Sequence, residues 1–307
     1  MFSAFPQWQA SRLALSRLLH PRPVLVMISD SGLLCCWKGR QQWMFRSALW
    51  PQGACRDGLP LQREAMAELI ADLLFDLDLP GAELVLSLPP SAATWCIVDG
   101  LTAEDWDSQG SLRERLGSAE LPFDLEQSYL TTSSSPTSVV VAGVPRSLVQ
   151  AWVEVVESAD LPLRRMTWSL VDAQRALAEI SKDWSDDLAW LVVHGGVVRL
   201  ILIRAGVPEV DYMLSSQDFH VCLLEARACL RAWQQTLDSP APLAWWLTLD
   251  EPNDDDWHQI IDTSAGEKVL NQPLPWSPDP WNDADEAIEL PSLAHLALMA
   301  LHREESW

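Results

Sequence analysis

Residues 188–213 read LAWLVVHGGVVRLILIRAGVPEVDYM, a stretch in which three apolar, β-rich runs are separated by two short glycine-containing turns. The runs are Leu188–Val193, Val198–Arg204 and Val207–Met213, and the turns are His194-Gly195-Gly196 and Ala205-Gly206. Runs of this length joined by tight connections are typical of antiparallel strands. The stretch therefore predicts a three-stranded meander.

The same arrangement occurs near the start of the chain, in residues 24–46. Its runs are Val24–Ile28, Leu33–Trp37 and Gln42–Arg46, with turns at Ser29-Asp30-Ser31-Gly32 and Lys38-Gly39. Each meander is followed by an amphipathic helical pattern and one further strand: Met66–Leu77 then Glu83–Leu88, and Phe219–Leu237 then Leu243–Leu249. We therefore predict an α/β chain that contains two copies of one strand-strand-strand-helix-strand unit.

Length and charge limit the classes of function. A chain of 307 residues is long enough for two domains of ordinary size. Its 43 acidic and 21 basic side chains give a formal net charge of −22. Such a charge repels phosphate backbones and anionic lipid head groups, so we expect no nucleic-acid partner.

Cysteine usage and hydropathy indicate a cytosolic protein. The six cysteines are dispersed among apolar neighbours, apart from the adjacent Cys35 and Cys36, and fit neither a disulfide framework nor a zinc pattern. No apolar run is long enough to span a membrane, and residues 1–22 form a short amphipathic extension without the apolar core of a signal peptide. We expect a cytosolic protein with no transmembrane span of its own.

Among the 17 tryptophans, two groups of four differ in their sequence surroundings. Those in helical stripes or strand runs are predicted to be core residues: Trp152, Trp168, Trp190 and Trp233. Those in polar surroundings are candidates for a contact surface: Trp257, Trp276, Trp281 and Trp307. Large aromatic side chains need burial, in a core or against a partner.

Several segments resemble one known family in sequence and in order. They are Glu83–Pro89 (ELVLSLP), Leu121–Glu126 (LPFDLE), Val139–Pro145 (VVVAGVP) leading through Leu148 and Trp152 to Leu163, Leu191–Gly196 (LVVHGG), Arg204–Pro208 (RAGVP) and Pro291–Leu298 (PSLAHLAL). Together they cover nearly all of the chain after residue 22. The chain thus resembles the PilM family of type IV pilus assembly proteins, which is related to FtsA and to the cytosolic part of GspL.

This resemblance implies an actin-like (ribonuclease H-like), duplicated two-lobe α/β fold with a small inserted α+β subdomain. The expected boundaries are an N-terminal extension at 1–22, a first lobe at 23–80, the insert at 81–165 and a second lobe at 166–307. The second lobe contains an acidic, Pro- and Trp-rich segment at 250–290.

The resemblance also implies a cleft for ATP, with one phosphate-facing turn from each lobe. The corresponding residues are Ser29, Asp30, Ser31 and Gly32 in the first turn and His194, Gly195 and Gly196 in the second. His194 stands where the family has an acidic residue, and 247–252 (LTLDEP) lacks the family's Gly-Gly turn against the adenosine. An imidazole is a poor substitute for the oxygen ligands that Mg²⁺ prefers. We therefore expect a degenerate site with no cofactor, with ATP and Mg²⁺ as the candidate ligands if it functions, and we assign no catalytic or metal-binding residue.

The expected function is that of a scaffold in the inner-membrane assembly platform of a type IV pilus or related secretion or competence system. Its expected partner is the cytosolic tail of a single-span, PilN-like membrane protein, which would hold this chain peripherally at the inner membrane. In the family the tail lies in a groove between the first lobe and the insert. An active actin-like ATPase and a GspL-like secretion component are the alternatives, and self-association remains open.

Overall fold

A computed structural model describes residues 23–39, 43–79, 81–99, 109–117, 121–134, 138–181, 187–194, 197–204, 206–216, 218–236, 243–248, 268–269, 293–294, 296–298 and 300. The N-terminal extension, Gly195, Gly196 and the four tryptophans proposed for a contact surface lie outside the described residues. So does the segment 250–290, apart from residues 268–269.

The described residues contain fifteen strands and five α-helices. The strands are β1 Pro23–Ile28, β2 Gly32–Lys38, β3 Trp43–Leu49, β4 Cys55–Arg56, β5 Leu59–Pro60, β6 Glu83–Leu88, β7 Thr94–Asp99, β8 Ser128–Ser134, β9 Ser138–Pro145, β10 Leu163–Trp168, β11 Asp187–His194, β12 Val197–Arg204, β13 Val207–Met213, β14 Leu243–Thr248 and β15 Lys268–Val269. The helices are α1 Arg63–Asp76, α2 Gln109–Leu116, α3 Arg146–Ser158, α4 Ser169–Ser181 and α5 Phe219–Gln235. The described residues between 293 and 300 are also helical.

Two five-stranded sheets have the same strand order, which confirms the predicted duplication. The first sheet runs β10-β6-β1-β2-β3 and the second runs β15-β14-β11-β12-β13. In each sheet the three strands of the meander pair antiparallel, β1-β2-β3 in the first and β11-β12-β13 in the second. The central strand, β1 or β11, also pairs in parallel with the strand that follows the helix, β6 or β14. A further parallel strand closes each sheet on that side. The two lobes therefore have equivalent elements in equivalent positions.

The central strands are apolar on both faces because both faces are covered. In β1, Val24 and Val26 belong to one hydrophobic cluster, whereas Leu25 belongs to a second cluster on the opposite face of the sheet. All three are fully buried. Strands covered on two faces are continuous apolar runs rather than alternating patterns, as the sequence is here.

A separate three-stranded antiparallel sheet, β7-β9-β8, forms the insert. The predicted insert at 81–165 would also include β6 and β10, and this part of the prediction is wrong, since both strands pair within the first sheet. Helix α3, also predicted for the insert, packs against α1 of the first lobe. The sheet that a strand joins depends on its long-range pairing with other strands. The apolar sequence of the strand alone does not reveal that pairing.

One hydrophobic cluster extends through both lobes. It includes Val24 and Leu86 of the first sheet and Trp190 and Trp246 of the second. Helix α4 contributes four side chains to it: Leu170, Ala173, Ala176 and Leu177. A second cluster lies beneath α5, on the other face of the second sheet. The predicted core tryptophans are confirmed as buried: Trp152, Trp168, Trp190 and Trp233. No helix among the described residues is long and apolar enough to cross a membrane.

Helix α1 carries an exposed acidic stripe. Glu64, Glu68, Asp72 and Asp76 recur every four residues, all are exposed, and the last turn has no basic residue. Like charges at this spacing repel each other, and acidic groups near a helix C-terminus oppose the helix dipole. The stripe therefore costs this helix stability.

Replacing Asp72 with lysine is expected to raise the free energy of unfolding by about 0.5–1 kcal/mol, because it converts two repulsive i,i+4 pairs into attractive ones and favours the helix dipole. Urea denaturation measures the change. Asp72→Asn is the control: it removes the repulsion without adding attraction, and we expect about half the gain. A lysine variant no more stable than the asparagine variant would show that no new attraction forms.

Candidate functional site

The first predicted phosphate turn is closed by its own hydrogen bonds. Ser29 Oγ accepts from the backbone N–H of Gly32 at 3.1 Å, and the backbone N–H of Ser29 donates to Gly32 O at 2.9 Å. The Ser29 and Ser31 hydroxyls lie 3.2 Å apart. The Gly32 amide, which would have to face a phosphate, thus already has an acceptor within the turn.

The Asp30 carboxylate binds a neighbouring hairpin. Its Oδ2 accepts from the backbone N–H of Asp57 at 2.9 Å, and its Oδ1 accepts from Gly58 at 2.8 Å. Asp57 and Gly58 both have positive φ, at 51° and 74°, and form the turn between β4 and β5. Successive amides in such a turn make an anion-binding concavity, and here the anion is a side chain of the same protein.

This carboxylate also affects the thiol beside it. Cys55 Sγ donates to Asp30 Oδ1 at 3.8 Å. Burial, followed by the negative charge of Asp30, raises the pKa of Cys55 to about 12. The thiol is therefore protonated at neutral pH and acts as a hydrogen-bond donor rather than as a nucleophile.

Gly32 is required by close packing of two strands. A Cβ at this position would lie 2.4 Å from the carbonyl oxygen of Ala48 and 3.2 Å from Leu49 Cα, both on the paired strand β3. Backbone atoms cannot move aside for it as a flexible side chain can. The absence of a side chain at Gly32 thus has a structural explanation within the first sheet.

Two tryptophans fix the turn and the hairpin together. Trp50 Nε1 donates to Ser29 O at 2.9 Å, and Trp152 Nε1, from α3, donates to Gly58 O at 2.8 Å. Their ring centroids are 6.2 Å apart. The turn at 29–32 is therefore tied to the β4–β5 hairpin and to α3, which leaves its main polar groups committed to structure.

The second predicted turn is described only at its first residue. His194 ends β11, pairs in register with Val197 and is half-buried, whereas Gly195 and Gly196 lie outside the described residues. On the neighbouring strand β14, in the stretch 247–252 that lacks the expected Gly-Gly turn, Thr248 is buried and its Oγ1 accepts from Trp190 Nε1 at 2.8 Å. Within the described part of the chain, no three His, Cys, Asp or Glu side chains are grouped as a metal site would require.

A groove of about 440 Å³ lies between the insert and the first lobe. Residues 129–131 of β8 line one side and residues 165–168 of β10 line the other. Among the described residues, β8 and β10 are each the outermost strand of their sheet. The groove therefore runs between two sheet edges, with apolar contributions from Val144, Val149 and Val171.

Charged groups lie at this otherwise apolar groove. Arg165 and Arg175 line it, and Arg175 Nη1 is 3.8 Å from the fully buried Asp172 Oδ1. Thr167 Oγ1 lies 2.8 and 2.7 Å from the two Asp172 oxygens, to which it donates. The Arg146 guanidinium lies 5.3 Å from the centroid of the Tyr129 ring, a distance typical of cation–π contacts. The lining thus combines apolar surface with hydrogen-bond donors.

The duplicated sheets, with their shared strand order, define an actin-like fold. No protein-family model matches the chain, and none of the curated proteins matches it. Among solved structures, a chain of a PilM–PilN type IV pilus biogenesis complex is similar over 92% of this chain and 99% of its own length, with 17% identity and a TM-score of 0.67.

Two further solved structures are similar. A Bacteroides thetaiotaomicron protein with an actin-like ATPase fold is similar over 82% of this chain and 91% of its own, with 9% identity and a TM-score of 0.52. The cytoplasmic domain of EpsL, an inner-membrane component of the Vibrio cholerae type II secretion system, covers 92% of this chain and 95% of its own, with 12% identity and a TM-score of 0.49. The similarities to the PilM–PilN chain and to the Bacteroides protein, both with TM-scores above 0.5, confirm the predicted actin-like fold class.

The sequence predicted the first turn but not its hairpin partner, and the family resemblance predicted a groove between the first lobe and the insert without naming its residues. The Asp57-Gly58 dipeptide is a turn signal that could have predicted the hairpin, although not its contact with Asp30. No motif marks the groove, because its two walls come from strands of different sheets.

Proposed function

We propose that this protein is an actin-like, protein-binding component of a type IV pilus or related secretion assembly. Its partner is the cytosolic tail of a single-span, PilN-like inner-membrane protein, bound in the groove between β8 and β10. The observation that carries the proposal is the groove itself, which is open, largely apolar and bordered by two strands at sheet edges. The similarity to a chain of a PilM–PilN complex supports the fold in which this groove occurs.

An extended tail matches the groove better than a helix or a small metabolite. Edge strands present backbone N–H and C=O groups that a further strand can pair with, and alternate side chains of that strand can fill apolar pockets. Arg165 and Arg175 add donors for carbonyl or carboxylate oxygens of the tail. Affinity would come from the backbone and the apolar side chains, and specificity from the two guanidinium groups.

The charge of the protein favours attachment through a partner. A net charge of −22 is repelled by the anionic cytoplasmic leaflet. Cytosolic segments next to membrane spans are rich in Lys and Arg, so they complement an acidic protein. We therefore place the protein in the cytoplasm, held at the inner membrane by its partner.

The nucleotide site is proposed to be degenerate. Support comes from the Gly32 amide, which is bonded to Ser29 Oγ, and from the Asp30 carboxylate, which is bonded to the 57–58 amides. Phosphoryl transfer needs a positioned metal and free donors at the phosphates, which these commitments disfavour. Saturable binding of Mg-ATP in a calorimetric titration would instead support an active ATPase.

Capture from solubilised inner membranes tests the partner. We expect the protein to retain a single-span protein, and a peptide of that protein's cytosolic tail to compete with it. Thr131→Trp, which places an indole in the groove from an exposed position, is expected to weaken capture by at least about 10-fold, because an indole occupies the volume of one anchoring side chain.

Gln150→Trp is the matched control, since it adds the same side chain at an exposed position of α3 that does not line the groove. Equal capture by both variants would show that the partner binds elsewhere. Recovery of soluble enzymes alone, without any membrane protein, would overturn the proposed function.

A further inference from the structure

Trp95 lies between the groove and the second lobe. It is a buried residue of β7 in the insert, 5% exposed, and its ring meets the Trp168 ring edge-on, with centroids 5.3 Å apart and an interplanar angle of 79°. Its indole N–H donates to the Asp211 carboxylate on β13 of the second lobe. Trp168 in turn lines the groove and donates to Pro89 O at 3.0 Å. One side chain thus contacts both a groove wall and the opposite lobe.

The contact between the insert and the second lobe lies beside a cavity. A cavity of about 520 Å³ separates residues 94–97 of β7 from Arg199 and from residues 209–211 and 213 of β12 and β13. Arg199 Nε is 3.5 Å from Asp211 Oδ1. Burial raises the pKa of Asp211, although Arg199 and the Trp95 N–H act in the opposite direction. The Trp95 hydrogen bond therefore joins the insert to the second lobe at the edge of this cavity.

We propose that occupancy of the groove is coupled to the docking of the insert on the second lobe through Trp168, Trp95 and Asp211. An occupant that presses on the Trp168 ring changes the edge contact with Trp95 and so the hydrogen bond to Asp211. The coupling is reciprocal, because a second lobe that holds Trp95 fixes the shape of the groove. We call the contacts from Trp168 through Trp95 to Asp211 the relay. The identity of the groove's occupant rests on the proposed function, whereas the relay does not.

The relay is testable in the full chain without any ligand, by hydrogen exchange at the amides of residues 207–213. Trp168→Leu and Asp211→Ala, which removes the acceptor of the Trp95 N–H, are each expected to speed this exchange by about 10-fold, within the usual range of coupling between sites. Trp168 and Asp211 each act through Trp95, so the double variant should exchange only about 10-fold faster rather than about 100-fold.

A third substitution isolates the relay. Trp95→Phe keeps an aromatic edge but loses the N–H, and in this background Trp168→Leu should change the exchange of 207–213 by less than about twofold. Glu225→Gln is the control, because Glu225 accepts from Tyr212 on the other face of β13, away from Trp95. Its effect on the exchange rate should be independent of that of Trp168→Leu, so the two rate factors should multiply in the double variant. Trp168→Phe replaces Trp168→Leu if the latter does not fold.

Independent, multiplicative effects of Trp168 and Asp211, or unchanged exchange at 207–213 in the Trp168 variants, would overturn the relay. Neither result would contradict the proposed partner, because the partner is tested separately by capture from membranes. A sub-multiplicative cycle together with failed capture would instead establish the relay for a groove whose occupant is a different molecule.

Discussion

Asp30→Ala is expected to lower the free energy of unfolding by about 2 kcal/mol, because two charge-assisted hydrogen bonds to the Asp57 and Gly58 amides are lost from a partly exposed site. Chemical denaturation measures this loss. A residue that served only to hold Mg-ATP would behave differently, since its replacement would reduce nucleotide affinity and leave the stability of the free protein unchanged.

An added anion provides a specific control for Asp30→Ala. The two freed amides form a concavity that accepts anions, so millimolar sulfate should restore part of the lost stability in the variant. The same sulfate concentration should stabilise the original protein less. In Asp30→Asn one amide oxygen can still accept one N–H, and we expect about half of the loss. Unchanged stability in Asp30→Ala would contradict the structural role of this carboxylate.

Trp152→Ala is expected to lower the free energy of unfolding by about 5 kcal/mol. Trp152 is fully buried and its ring packs beside that of Trp50, so truncation creates a cavity worth about 3–5 kcal/mol. It also removes the donor to Gly58 O, and an unsatisfied buried carbonyl adds about 1–3 kcal/mol. Urea denaturation should show a lower midpoint, and the β4–β5 hairpin should exchange its amides faster.

Trp152→Phe separates the two contributions. Phenylalanine keeps most of the ring volume but has no N–H, so its cost should be about 1–3 kcal/mol, mainly from Gly58 O. A phenylalanine variant as stable as the original protein would show that the hydrogen bond adds nothing. If the cost of Trp152→Ala were no greater than that of Trp152→Phe, the cavity would be negligible and the surrounding packing more adaptable than the structure indicates.

The repeated architecture was predictable because its signals are local. Apolar runs between short turns at 24–46 and 188–213 predict the strands, and stripes of apolar residues predict α1 and α5, which the structure confirms. The insert was placed too widely because Glu83–Leu88 has the same apolar pattern whichever sheet it joins. Pairing between β6 and β1 is a long-range contact, and it leaves no mark on the sequence of either strand alone.

The candidate site was less predictable for the same physical reason. A turn such as Ser29–Gly32 is compatible with phosphate binding and with a structural role, and the decision depends on the hairpin that Asp30 reaches. The groove arises only when β8 and β10 are brought side by side, and its arginines are unremarkable in the linear sequence. The pattern of residue types predicted the strands and helices, whereas the groove and the role of Asp30 depend on how those strands and helices pack together.

The hydrophobic cluster that joins Val24 of the first sheet to Trp246 of the second has a consequence for how the molecule can be divided. Each lobe contributes side chains to the same hydrophobic core. The two lobes therefore share a topology but are not expected to fold independently of each other. Cleavage of the chain between α4 and β11 would expose interior side chains such as Leu177 and Trp190 as apolar surface. The fragments would then associate with each other, or with themselves, before either reached a stable state of its own.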